Sequence, residues 1–407
     1  MNDSSRIFFY SSRLWRRVFG ALVLVSILTS SLSVVAYERR VVSNGLSATS
    51  VGFERYGASV DRSGSNVSRY SVGVKEVRWT SRTGSSYSAL AYYPTTPPAD
   101  GGSFSAIIFS HGLGSSAENF SYLARSWARD GAVVLCLRHP GSDESVWRGK
   151  LRAMNELREA YQRYWTARDR AVAISSAIDF LYASHSSAGP MGADVDLARI
   201  GVAGNDLGAL ASLLVAGQLP PDNGVSLKDP RVAVVLALSP PVFCEANQSG
   251  VVYASVEAPT MILTGTEDDG IVGTTKAYQR RIPFDGVSLN DRFLVVLQGG
   301  DHRVYAGHKM ASKQAHDAPY QETIRVASTE FWRAYLNGDL LALNGMRFGS
   351  FTSKFSNASV EARFAPTATE AADMDAAAAQ ISGAMETGAP IDESALENMK
   401  VLPEASF

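Results

Sequence analysis

Two cysteines in 407 residues are too few for a disulfide scaffold or an all-cysteine zinc site. An excess of one charge is missing too. The chain has 38 basic and 40 acidic residues, a formal −2, and so lacks the net basic character that nucleic-acid binding by counterion release requires. No second histidine lies at ligand spacing from His111, so the sequence names no metal site and no cofactor. Internal repeats are absent, and 34 glycines and 16 prolines are ordinary totals, which excludes solenoid and fibrous classes. What remains is 45% hydrophobic and 19% charged, ordinary globular material with enough apolar residues for a large core.

The ends differ from the middle. Arg6, Arg13, Arg16 and Arg17 face a single acid, Asp3, before the uncharged stretch 18–36. A basic start, a short apolar run and small residues near Ala36 read as a secretory signal over 1–36. The rival is an uncleaved anchor, since such a run nearly spans a bilayer. Either way the expectation is an exported chain, touching a membrane only if that segment is retained. Residues 37–71 read as a linker rich in Ser, Gly and Arg. At the other end, 365–407 carries eight acids and one base, Lys400, and reads as a disordered acidic, alanine-rich tail. The rest of the chain is therefore net basic by five.

Between these ends, 72–364 reads as one domain. Two alternating β-rich runs, 72–80 and 87–94, flank a Gly/Ser turn and predict an antiparallel hairpin. Solid apolar runs follow at 106–110, 132–137, 199–203, 232–238, 259–264 and 292–297. Unbroken apolar runs suit strands covered on both faces. Helical patterns lie between them at 117–130, 152–184 (as two helices), 207–218 and 320–337. The expected class is α/β, with a doubly wound, mostly parallel sheet and no large cap domain.

In such a sheet, function collects at the carboxyl ends of the strands. Read in order, those ends carry His111-Gly112-Leu113, then Gly204-Asn205-Asp206-Leu207-Gly208, then Gly265-Thr266-Glu267-Asp268-Asp269, then Gly299-Gly300-Asp301-His302. A glycine-flanked elbow, then an acid, then a histidine is the chain order of the α/β-hydrolases. The region 72–337 resembles their dienelactone-hydrolase and platelet-activating-factor-acetylhydrolase-like branch, through FSHGLGSSAENFSYLA, LRHPGSDES and RIGVAGNDLGA. The resemblance implies a carboxylic-ester hydrolase with a small-molecule ester or lipid as substrate. It assigns His302 as base, Asp268 as the acid that orients it, and the Leu113 and Leu207 amides as the oxyanion hole. Asp269 is the neighbouring alternative to Asp268.

The departure is at the elbow, where Asp206 occupies the position of the family's nucleophilic serine. Three readings follow. A carboxylate attacking an ester carbonyl would form an anhydride and expel a more basic alkoxide, so an esterase would need His302 to activate water directly. A carboxylate attacking a saturated carbon, as in the superfamily's epoxide hydrolases and haloalkane dehalogenases, would form an alkyl ester that His302 could hydrolyse. That scheme needs a leaving-group donor, and 239–258 is too short for a lid. In the third reading the scaffold is catalytically silent and binds a ligand, with Asp206 on the oxyanion-hole amides and paired to His302. Other residues read more plainly. His111 shapes the loop over the hole and His139 a turn, while His185, His308 and His316 are solvated. Trp127, Trp147, Trp165 and Trp332 pack in core or groove. Cys136 falls in a strand and Cys244 just after another; the strand order that the resemblance implies keeps those strands apart, so no bridge is expected.

Overall fold

The computed structural model describes residues 70–365, apart from 99–100, 188–193, 223, 288–289, 308–310 and 350. The expected leader and tail, and the linker before residue 70, therefore lie outside the described residues, as does His308. The chain is a mixed α/β protein built on a nine-stranded, mostly parallel sheet. The strands are β1 (Val72–Thr80), β2 (Ser86–Pro94), β3 (Phe104–Ser110), β4 (Ala132–Leu137), β5 (Val195–Asn205), β6 (Val234–Leu238), β7 (Thr260–Glu267), β8 (Arg292–Asp301) and β9 (Ala358–Arg363). Their spatial order is β1-β2-β4-β3-β5-β6-β7-β8-β9. From β4 to β8 every pair is parallel, while β1–β2, β2–β4 and β8–β9 are antiparallel.

Alternation along the central strands explains the solid apolar runs. In β3, Ala106 and Ile108 join one core cluster, and Ile107 and Phe109 the other. In β4, Val133 and Leu135 face the first, and Val134 and Cys136 the second. Successive side chains point to opposite faces, so a strand covered on both sides must be apolar throughout. Helices α3 (Arg168–Ser184) and α4 (Leu207–Ala216) cover the first face. Helices α1 (Ser121–Arg129) and α7 (Ala311–Tyr335) cover the second. α4 is buried along its whole length. Truncating one of its core leucines, such as Leu210 or Leu213, to alanine would cost about 2–5 kcal/mol.

The remaining helices are α2 (Ala153–Tyr164), α5 (Ser249–Val252), α6 (Ile282–Gly286) and α8 (Leu340–Arg347). The pattern at 152–184 does resolve into two helices, α2 and α3, broken at Ala167, which takes φ +52°. α7 begins nine residues before the predicted 320, and Pro319 lies inside it. Four elements had no predicted counterpart: the short α5 and α6, then α8 and β9. α8 and β9 follow α7, and β9 pairs antiparallel with β8 at the sheet edge. Among the described residues no helix is long and apolar enough to cross a membrane.

Candidate active site

The elbow forms where β5 runs into α4. Asp206 has φ +52° and ψ −122°, a strained conformation for a residue with a Cβ. The two glycines allow this bend. A Cβ on Gly204 would lie 2.2 Å from the Gly208 carbonyl, and one on Gly208 would lie 1.9 Å from the Ser110 carbonyl oxygen. No larger residue fits either position. The Asp206 amide donates to the Leu238 carbonyl on β6 at 3.0 Å, which ties the apex of the bend to the neighbouring strand.

The Asp206 side chain, 18% exposed, projects between two loops. Its Oδ2 accepts a hydrogen bond from the Leu113 amide at 3.2 Å. Its Oδ1 stands 4.0 Å from Nε2 of His302. Leu207 opens α4, and its amide is one of the donors that a first helical turn leaves without an intrahelical partner. The structure thus gathers Leu113, Asp206, Leu207 and His302 from three strand ends into one place.

Behind His302 lies a buried polar cluster. Nδ1 of His302 is 2.8 Å from Oδ1 of Asp268, which is wholly buried. Ser239 donates from Oγ to the same oxygen at 2.8 Å, and Nε of Arg280 is 3.2 Å from it. The other oxygen accepts from Thr264 Oγ1 at 3.0 Å and from the Tyr305 hydroxyl at 3.0 Å. Burial alone would raise the Asp268 pKa. The hydrogen bond from His302, the Arg280 charge and the Ser239 hydroxyl outweigh it and hold the carboxyl below its ordinary value. Asp269, by contrast, is exposed and paired with Lys276 at 2.8 Å. Of the two adjacent acids, Asp268 alone faces the histidine.

Arg280 and Ser239 had no predicted role. The guanidinium is 1% exposed. Its Nε donates to the Asp268 carbonyl at 2.6 Å and its Nη1 to the Ser239 carbonyl at 2.8 Å, while Nη2 is 3.3 Å from Nδ1 of His302. Ser239 directly follows β6 with φ +52°, and its Oγ is also 2.8 Å from that Nδ1. A second buried cation, Arg170 on α3, holds the loop that carries Leu113. It donates to the His111 carbonyl, and to Ser142 Oγ at 2.8 Å. Burial lowers its pKa to about 10, opposed chiefly by the Asp206 charge.

The loop histidines are neutral. His111 bonds the Gly112 carbonyl through Nδ1 at 2.8 Å, and burial together with the Arg170 charge lowers its pKa to about 3. His139 lies 2.8 Å from Ser110 Oγ, and the same two causes push its pKa well down. His185 is exposed, and His316, also exposed, pairs with Asp317 at 2.8 Å. Trp127 and Trp332 are core residues, whereas Trp147 is partly exposed at the mouth of the site. Cys136 and Cys244 are both free.

α2 covers the site from above. Leu157 and Trp147 close over Gly114, and the Tyr161 hydroxyl packs on Gly273. Burial, then the Asp206 charge, pushes the Tyr161 pKa up to about 12, with Arg280 opposing. The phenol feels the charge of the elbow carboxylate and stays protonated at neutral pH. The sequence reading missed it, although Tyr161 and Tyr164 share a helical face at i, i+3. Among the described residues, no group of three His, Cys, Asp or Glu could hold a metal ion. Neither a scan of known family models nor a search of curated proteins found a match to the chain.

Proposed function

We propose that the chain is a hydrolase of the α/β-hydrolase fold, akin to the dienelactone-hydrolase and platelet-activating-factor-acetylhydrolase-like branch, with Asp206 as its nucleophile. The observation that carries this reading is the split role of the Asp206 carboxylate, with Oδ2 on the Leu113 amide and Oδ1 toward His302. Strand order, elbow strain and the His302–Asp268 contact support the fold assignment.

A carboxylate so placed suits an electrophilic saturated carbon, such as that of an epoxide or an alkyl halide. Oδ1 attacks the carbon, and the carbon–oxygen or carbon–halogen bond breaks with its electron pair going to the leaving atom. Tyr161 supplies a proton to an alkoxide. The product is an alkyl ester of Asp206. His302, oriented by Asp268, takes a proton from water at Nε2 as that water attacks Cγ. The negative charge then develops on Oδ2, where the Leu113 amide already points and the Leu207 amide can join it. Collapse expels the alcohol, which takes the proton from His302; the Asp206 carboxyl, now carrying one oxygen from water, gives its own proton to the Tyr161 phenolate, or to solvent where a halide has left, and the carboxylate returns. No metal or cofactor enters this scheme.

Single turnover in heavy-oxygen water tests it. Epoxide or alkyl-halide hydrolysis should leave the label in the Asp206 peptide, and turnover without label there would refute the scheme.

One observation favours a second reading. Oδ2 occupies the Leu113 amide that the carbonyl oxygen of an ester would need. If the parent hydrolyses neither esters nor saturated-carbon substrates, the same cluster serves a silent scaffold that binds a small molecule. The basic start and apolar stretch at 1–36 support export in either case.

A further inference from the structure

Near the mouth of the site, three apolar side chains stand open to water. Trp147 is 36% exposed, Leu151 106% and Met154 40%. They lie where the turn Glu144–Val146 leads into α2. Arg148, Lys150 and Arg152 are interleaved with them, all exposed, and no acid lies between 147 and 155. Arg148 pairs with Glu144 at 2.9 Å, while Lys150 and Arg152 make no ion pair among the described residues. The nearest acids along α2 are Glu156 and Glu159. The stretch is joined to the site, since Nε1 of Trp147 donates to the Gly114 carbonyl at 2.6 Å, next to Leu113.

Each part of this pattern has a counterpart in an anionic bilayer. An indole favours the headgroup level, where its ring is apolar and its N–H finds an acceptor. Flexible Leu and Met side chains enter the acyl boundary, and cations between them meet anionic headgroups. A folded protein partner would require a continuous complementary face. Single apolar residues alternating with cations on a short loop instead match a fluid, charged surface.

We propose that 147–154 docks this protein onto an anionic lipid surface, with the mouth of the site facing the bilayer. On the reading of the cluster as an active site, the substrates are then amphiphiles drawn from the membrane. The docking itself does not depend on that reading.

The test uses the full chain with Leu151→Cys in a Cys244→Ser background, labelled at 151 with an environment-sensitive fluorophore; Cys136 is buried. Vesicles of phosphatidylcholine with about a quarter phosphatidylglycerol should brighten and blue-shift the label, and added salt should reverse the change. Lys150→Glu with Arg152→Glu should weaken this response at least roughly 30-fold, the contribution expected from losing two cations at an anionic surface, with repulsion by the two new acids added to it. Urea unfolding of the labelled and charge-reversed chains should match the parent, so that loss of folding is not mistaken for loss of docking. The proposal fails if chains sediment with vesicles while the label at 151 stays unchanged, because the contact then lies elsewhere, as in 18–36. It fails equally if pure phosphatidylcholine gives the same response, or if the label is already shielded without vesicles, which would mean that the chain or a protein covers the patch. Hydrolysis is not part of the readout, so an inactive Asp206 would leave the result interpretable.

Discussion

Oδ1 of Asp206 and Nε2 of His302 stand 4.0 Å apart, too far for a direct hydrogen bond and close enough for one water to reach both. A water about 2.8 Å from each atom would sit to one side of the line between them. The pair is thus arranged to share a small molecule rather than to hold each other. His302→Gln removes the base and leaves the nucleophile. With an epoxide or alkyl halide, that variant should stop after alkylation, and intact-mass measurement should show a stable adduct on the Asp206 peptide. An unmodified chain after prolonged incubation would count against a covalent route.

Asp206→Ser should convert the cluster to acyl chemistry. The hydroxyl would face a histidine already oriented by Asp268, and the Leu113 amide would be released to a substrate carbonyl. Hydrolysis of short p-nitrophenyl esters should rise about 100-fold or more over the parent, the usual scale for a positioned general base. No gain in a folded variant would mean that the serine cannot reach Nε2.

The elbow glycines make a steric prediction. Gly208→Ala places a methyl 1.9 Å from the Ser110 carbonyl oxygen, a backbone atom that cannot swing aside. The expected loss is at least about 3 kcal/mol in urea unfolding, at the upper end of backbone and overpacking effects. Gly250→Ala, in α5 with nothing near its Cβ, should be neutral or slightly stabilising.

The buried histidines make stability depend on pH. The folded-state pKa of His111 is about 3, and that of His139 is also depressed, whereas unfolded histidine titrates near ~6.5. Between these values the unfolded chain binds more protons, so stability rises with pH and is complete above about 6.5. As pH falls through 6 to 4, the two histidines together should cost about 2–3 kcal/mol per pH unit. Urea titrations across that range would measure the slope, and His139→Gln should remove about half of the histidine contribution while keeping an acceptor for Ser110 Oγ. A slope unchanged in that variant would mean that His139 is charged in the folded chain.

Arg280→Met should be costly for a different reason. It strips a buried carboxylate of its cation and leaves the Ser239 and Pro240 carbonyls without a donor. Removing one partner from such a pair typically costs about 3–5 kcal/mol. A smaller loss, seen as an unchanged thermal midpoint, would mean that solvent reaches Asp268.

Most of the sheet was legible because its strands are buried on both faces, which forces apolar residues at every position of runs such as 132–137. β9 was not, because ASVEAR is an edge strand of only partial burial and its residues alternate without a strong apolar set. The start of α7 was hidden by Pro319, a residue that ordinarily opens a helix rather than lying inside one. At the site, Asp206, Asp268 and His302 could be read because each follows a strand end with its own glycines. Ser239, Arg280 and Tyr161 could not. Nothing local marks them, and Ser239 and Arg280 reach the cluster only through contacts with residues distant in the chain. Tyr161 matters most here, since the proposed saturated-carbon scheme needs a proton donor and this phenol feels the Asp206 charge.

Arg170 reaches main-chain and hydroxyl oxygens but makes no hydrogen bond to a carboxylate, and Asp206 is the strongest negative influence on it. The elbow residue thus acts as a counter-ion to Arg170. Exchanging it for a hydroxyl would take away the largest negative charge acting on this guanidinium and leave it Asp143 and Asp169, beneath the loop that carries Leu113. A chain with serine at 206 would therefore hold the Leu113 loop over a less well compensated cation, unless the residue at 170 changed with it.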